Sequence, residues 1–285
     1  MEPASELPEL EAAVAAALEE FRTLEFALLF GSAVTGRLRE DSDIDVAVYL
    51  DSKGQLEVEE EREFPEEAEI QIALERALGR NVEILLLNRA PATVCASAVE
   101  TGRVVLLRNG GLYRRYALAV TDVAASFLGT EEEFRQIRDR SGSLAPVDRA
   151  RLERILDFID DELQDRSEFQ EADLHRYQTD RGLRRSLDRW AETLINSAID
   201  IGKIVLASEH RGVPQTYGQI LEELEGVTPF DELQGRLKEL APLRNVLAHE
   251  YLDLRFRRVK GFVEEGSFDV EKLASLARRW LEQGA

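Results

Sequence analysis

Apolar residues recur at helical spacing from Leu7 to Arg22, where Leu10, Val14, Leu18 and Phe21 form one stripe. The period then changes. "EFALLF" (Glu25–Phe30) is short, apolar and stopped by Gly31-Ser32, which predicts a buried strand. Ala33–Leu38 reads as a short helix or turn, and Asp43–Leu50 as a second strand. A charged stretch leads into a helix ending at Leu78, and "NVEILLLN" (Asn81–Asn88) follows as a third strand. That strand is apolar on both faces, so a covered central position is expected. Ala92–Thr101 and Arg114–Phe127 read as helices around a short strand, "RVVLLR". The front of the chain is therefore α/β with few strands.

Strand signals become scarce after about residue 142, and Gly142, Ser143 and Pro146 read as a short linker. Arg149–Leu163, Arg181–Ala207, Gln215–Leu224, Phe230–Tyr251 and Val270–Gln283 all carry helical periodicity, which predicts a bundle of about five helices. The expected organisation is an α/β domain over residues 1–142 followed by an all-α domain over 146–285. Trp190 and Trp280 are expected in the bundle core, and His175 and His210 at the surface. The acidic run Glu57–Glu69 is expected to be a solvated loop or helix face.

Charge narrows the functional classes. The formal net charge is −20, which excludes a broad basic footprint for non-specific nucleic-acid binding but leaves room for a small local RNA site. Residues 1–145 hold 28 acids against 15 bases, and residues 146–285 hold 28 against 21. An RNA contact is therefore expected in the back half. The single cysteine, Cys95, precludes an internal disulfide and fits a reducing compartment. Three histidines without cysteine partners argue against structural zinc. The N-terminal stretch is acidic where a secretory signal would be basic, and no segment approaches the roughly 20 apolar residues of a membrane span. A cytoplasmic protein with no membrane partner is expected.

Alternation places Asp43 and Asp45 on one face of the second strand, with Ile44 and Val46 pointing into the core. Two carboxylates side by side repel unless a hard divalent cation lies between them, and Mg2+ with a phosphate-bearing partner suits oxygen-only ligands. Upstream, the backbone at Gly31-Ser32 can approach a phosphate, and the Ser32 hydroxyl adds a donor. Ten residues separate Ser32 from Asp43, enough for a turn and a return. Asp41 reads as a surface turn residue.

Gly31, Ser32, Asp43 and Asp45 at this spacing resemble the signature of the nucleotidyltransferase superfamily with the polymerase-β-like fold. The resemblance implies ATP as substrate, Mg2+ as cofactor and a third metal carboxylate from a neighbouring strand. Glu83 stands at that position, where the family more often has aspartate. Ala33 and Thr35 occupy places where close relatives often carry arginines, which either weakens the grip on the triphosphate or leaves it to Arg37 and Arg39.

In the back half, "LRNVLAHEYLD" (Leu243–Asp253) joins a permanent cation, Arg244, to a proton-shuttling His249. Such a pair can cleave RNA without metal. On one ideal helix the two lie about 140° apart, so a helix end or a second copy is needed to bring them together. With the preceding helices and the Pro214–Tyr217 turn, this stretch is similar to the HEPN family of HepT type, whose signature is Arg, four to six residues, His-x-Tyr. The family resemblance implies a metal-independent endoribonuclease acting on RNA and a homodimer or higher homo-oligomer formed through this domain. A minimal nucleotidyltransferase beside such a ribonuclease resembles the MntA/HepT toxin–antitoxin systems. That resemblance implies AMP transfer from ATP to Tyr251, with the added bulk and charge closing the RNA site. The alternative is a nucleotidyltransferase acting on another protein or a small-molecule hydroxyl, with the helical domain as a binding or dimerisation module.

Overall fold

A computed structural model of the chain describes residues 6–36, 39, 42–53, 55–247 and 252–283. Two compact units form, Met1–Ala125 and Ser126–Ala285.

In the first unit the order is α1 (Glu6–Leu18), β1 (Leu24–Leu29), β2 (Ile44–Leu50), α2 (Glu67–Leu78), β3 (Val82–Leu86), α3 (Ala92–Thr101), β4 (Arg103–Leu107) and the start of α4 (Gly110–Arg140). The strands make one mixed sheet of order β3-β2-β1-β4. β2 pairs antiparallel with β1 and parallel with β3, and α2 supplies the crossover that a parallel pair requires. One face carries Ala27, Leu29, Ile44, Val46, Val48, Val82 and Leu86, packed with Val14, Leu18, Ile70 and Leu74 of α1 and α2. On the other face Tyr49 stacks on Phe26 at 4.7 Å and meets Tyr116 of α4 edge-on at 5.0 Å. Asp45 shares this second face with Ala47 and Tyr49, four residues along the strand from the aromatic cluster.

Two expectations fail here. β3 is an edge strand and not a central one. Its apolar residues on both faces are used differently: Val82 and Leu86 join the core beneath α1 and α2, while Glu83 stays exposed. Glu57, expected in solvent, is buried, held by the Asn88 amide at 2.7 Å and Arg62 at 3.1 Å.

The second unit is helical after α4: α5 (Pro146–Leu163), α6 (Arg166–Gln170), α7 (Leu174–Thr179), α8 (Arg181–Ser208), α9 (Tyr217–Leu224), α10 (Leu240–Val246), α11 (Leu252–Gly261) and α12 (Ser267–Glu282). α5, α8 and α12 pack against one another, and α9 lies along α8. The approach of α9 needs Gly202, where a Cβ would stand 2.8 Å from Ile220 Cγ2. Side-chain caps start the helices on this framework. Asp180 accepts from Gly182 and Leu183 N–H at α8, and the Thr216 hydroxyl accepts from Gln219 N–H at 3.0 Å at α9. Trp190 and Trp280 are both buried, and the Trp190 indole donates to the Glu162 carbonyl at 2.6 Å between Phe169 and Phe262. His175 and His210 are exposed.

The single helix expected over Phe230–Tyr251 is broken. Two 3-10 turns, Phe230–Leu233 and Leu237–Glu239, precede α10, and Gln234 and Gly235 between them have positive φ. A 3-10 turn repeats its face every three residues, so its apolar spacing imitates the helical one. Among the described residues no helix is long and apolar enough to cross a membrane.

Candidate functional site

The front site forms where β1 ends and β2 begins. Phe30 is extended, and its N–H donates to the Asp45 carbonyl at 3.1 Å, which keeps the two chain segments in register. The chain then turns through Gly31–Ala33 in a 3-10 turn, closed by the Val34 N–H and the Thr35 hydroxyl, both donating to the Gly31 carbonyl. Gly31 has φ +69°, and a Cβ there would lie 2.0 Å from Asp45 Oδ2. Glycine is needed twice over, for its backbone angle and for the carboxylate against it.

Asp45 and Glu83 are register partners on β2 and β3 and so project from the same face of neighbouring strands. Asp43 is exposed and stands just before β2. The Asp45 carboxyl is pushed above the ordinary aspartate range, chiefly by burial and then by the Glu83 charge. A hydrogen bond from the Ser32 backbone N–H opposes the rise, and the Asp43 charge adds to it. Ser32 thus meets Asp45 through its backbone.

Among the described residues no three His, Cys, Asp or Glu side chains converge closely enough to hold a metal ion. Asp43, Asp45 and Glu83 are instead set out along one end of the sheet. The donor set nevertheless fits a hard divalent cation: carboxylate oxygens only, with like charges whose repulsion a cation would relieve.

Arg80, which the sequence reading passed over, braces the loop before β2. Its guanidinium donates to the Arg39 carbonyl and to the Ser42 carbonyl, the latter at 2.8 Å. Arg39 itself is exposed. Arg37 and Asp41 lie outside the described residues.

In the second unit Arg244 is half-buried on α10. Its Nε donates to Asn196 Oδ1 at 3.4 Å, and its guanidinium lies 4.3 Å from the centre of the Tyr217 ring. A polar cleft of about 370 Å³ opens here, lined by Thr130, Glu133, Arg151, Asn196, Lys203 and Arg244 among others. Its wall is an ion cluster: Lys203 pairs with Glu133 and with Asp200 at 2.6 Å, and Arg151 reaches the same two acids at 3.3 and 3.4 Å. Burial alone would raise Glu133. The hydrogen bond and charge of Lys203, with those of Arg151, outweigh it and hold the carboxyl below its ordinary value.

A second polar cluster surrounds Arg255 of α11. Its guanidinium donates to the Leu247 carbonyl at 2.9 Å and to the Tyr177 hydroxyl at 3.0 Å, with Asp188 beside it. His249 and Tyr251 lie outside the described residues. Neither cluster was foreseen, because its members are far apart in sequence and each alone reads as an ordinary polar residue.

Residues 13–110 match the family model described as polymerase beta, nucleotidyltransferase, and residues 151–276 the one described as ribonuclease HepT-like. Among solved structures, a crystal structure of a toxin–antitoxin with AMP-PNP is similar at 21% identity, over 46% of this chain and 96% of that one, with a TM-score of 0.36. A mutant of the toxin–antitoxin MntA-HpeT is similar at 20% identity with the same coverage and TM-score. Likeness at that level carries no argument about this chain. No curated protein matches it.

Proposed function

We infer, from the fact that residues 13–110 are of the polymerase-β nucleotidyltransferase family and residues 151–276 of the HepT-like ribonuclease family, that the chain is a fused toxin–antitoxin enzyme. In this reading residues 1–142 form the antitoxin, which transfers AMP from ATP to Tyr251, and residues 146–285 form the endoribonuclease that this transfer silences.

The observation that carries the transferase reading is Gly31 turning against Asp45, with Glu83 in register beside it. Gly31 offers its backbone N–H and Ser32 its hydroxyl to the triphosphate. Asp43, Asp45 and Glu83 are the residues that would hold Mg2+. Bound there, the ion would neutralise charge on the phosphates and favour ionisation of the acceptor hydroxyl. The Tyr251 phenol oxygen attacks the α-phosphorus in line, the bond to pyrophosphate breaks, and the phenolic proton passes to solvent. The product is a tyrosyl-AMP ester, in the same chain or in a second copy.

On the ribonuclease side Arg244 and His249 carry the metal-independent chemistry. His249 takes the proton of the RNA 2′-hydroxyl, whose oxygen attacks the neighbouring phosphorus as the bond to the 5′-oxygen breaks. The 5′-oxygen leaves as a hydroxyl on taking up a proton, and a 2′,3′-cyclic phosphate remains. The Arg244 guanidinium stabilises the charge that develops on the phosphate. AMP on Tyr251, two residues from His249, brings a phosphate and a nucleoside to the place the RNA must occupy. Like-charge repulsion and bulk then exclude the substrate. Fusion raises the local concentration of the antitoxin, to about millimolar for a short connection. Homo-oligomerisation through the helical domain and a cytoplasmic location complete the proposal.

Transfer of label from α-labelled ATP tests it. The wild-type chain should become labelled in Mg2+, and the Asp43→Asn/Asp45→Asn variant should not. Label from γ-labelled ATP, or transfer that survives the double substitution, contradicts the reading.

A further inference from the structure

The cleft around Arg244 holds the guanidinium from two sides with residues that no family motif assigns. Nε donates to Asn196 Oδ1 at 3.4 Å, and the guanidinium carbon lies over the Tyr217 ring, 4.3 Å from its centre. Both supports are themselves fixed. Tyr217 is 3% exposed, meets Phe127 edge-on at 5.1 Å, and begins α9 directly after the Thr216 cap. Asn196 stands on α8 one turn before Asp200, which is tied to Lys203 and Arg151. Lys203 is 3% exposed, so the ion cluster behind Asn196 is anchored in the unit's interior. Gly202 lets α9 sit close enough to α8 for Tyr217 and Asn196 to act on one guanidinium.

An arginine side chain in water samples many rotamers, and each must be given up before it can fork onto a phosphate. Here the loss is taken on folding. With Nε engaged and the guanidinium over the Tyr217 ring, the Nη groups have no partner among the described residues and can meet a charged oxygen. Two cations and two acids balance in the wall, so the wall contributes shape and rigidity with little net field.

We propose that Tyr217 and Asn196 are positioning residues for RNA cleavage: they pre-set the Arg244 guanidinium so that its Nη edge meets the scissile phosphate as charge develops. The proposal rests on the ribonuclease reading. It differs from a packing role in a specific way. Loss of positioning lowers kcat with KM little changed, because the interaction strengthens in the transition state.

The test uses the full chain in the Asp43→Asn/Asp45→Asn background, which keeps it free of AMP, with single-stranded RNA as substrate and nuclear magnetic resonance of the arginine Nε–H groups. The Arg244 signal is assigned by its loss in Arg244→Lys. It should be ring-current shifted and slow to exchange. Tyr217→Leu should abolish the shift and lower kcat by about 10- to 100-fold. Tyr217→Phe, which keeps the ring, should restore both, and thereby controls for folding. Asn196→Ala should speed exchange of the Nε proton and lower kcat in the same way. An unshifted, rapidly exchanging Arg244 signal in the starting protein overturns the proposal whatever the RNA assay gives. So does a Tyr217→Leu variant that cleaves RNA at full kcat, or that loses only KM. A held Arg244 in a chain that cleaves no RNA overturns the ribonuclease reading instead and leaves the clamp standing.

Discussion

At Gly31 one added methyl group would meet the Asp45 carboxylate at 2.0 Å, on a backbone already at φ +69°. Gly31→Ala should therefore cost about 1–3 kcal/mol from the backbone angle alone. It should also displace Asp45 and abolish ATP-dependent labelling. Thermal melting and label transfer check both, and a variant that melts with the wild type and still transfers label would show that the turn tolerates a side chain. Arg80 acts at the same scale. Arg80→Ala removes the donor that holds the Arg39 and Ser42 carbonyls, and so loosens the approach to Asp43. Its expected effect is a fall in transfer rate with only a small change in melting temperature.

Among the elements, α4, α5 and α8 meet at an ion cluster in which Glu133 answers to pH. The Glu133 carboxyl lies below its ordinary value of 4.5 because Lys203 and Arg151 outweigh its burial. A depressed folded value means the contribution is present above 4.5 and is lost as pH falls through the lower folded value. Glu133 is about half exposed, so solvent screening limits the effect to about 0.5–1 kcal/mol. Glu133→Gln should thus destabilise the chain at pH 7 by denaturant unfolding, and the deficit should shrink as pH falls below 4.5. A deficit that persists unchanged at pH 3 would mean that packing, and not charge, is lost.

The elements also show how far a sequence can be read. Alternation along β2 was enough to bury Ile44 and Val46 and to turn Asp45 to the other face, since the period of a strand decides which face each residue takes, while Asp43 stands just before the strand. The place of β3 in the sheet was not legible, because apolar content on two faces does not say which neighbours cover them. Nor were the breaks at Gln234 and Gly235, where 3-10 turns keep apolar residues on the same core. Glu83 was found by resemblance, and its register with Asp45 appears only when β3 pairs parallel with β2. Tyr217 was legible only as the end of the Pro214–Tyr217 turn, and Asn196 left no local signal. Their relation to Arg244 exists only across three helices.

For the whole molecule, the proposed function joins in one chain a ribonuclease and an enzyme that restrains it. Tyr251→Phe removes the acceptor and should leave RNA cleavage insensitive to ATP. His249→Ala should remove cleavage while Tyr251 still takes AMP. A His249→Ala chain that cleaves RNA at the wild-type rate would take the ribonuclease away from this motif. The central claim is tested most directly by the intact mass of the full chain. Phosphodiesterase-treated protein is incubated with ATP and Mg2+, and the tryptic peptide Asn245–Arg255 is then mapped. The account predicts a gain of one or more AMP units on Tyr251, with RNA cleavage falling as the modified fraction rises. An unchanged mass, or AMP on any residue outside that peptide, would contradict it.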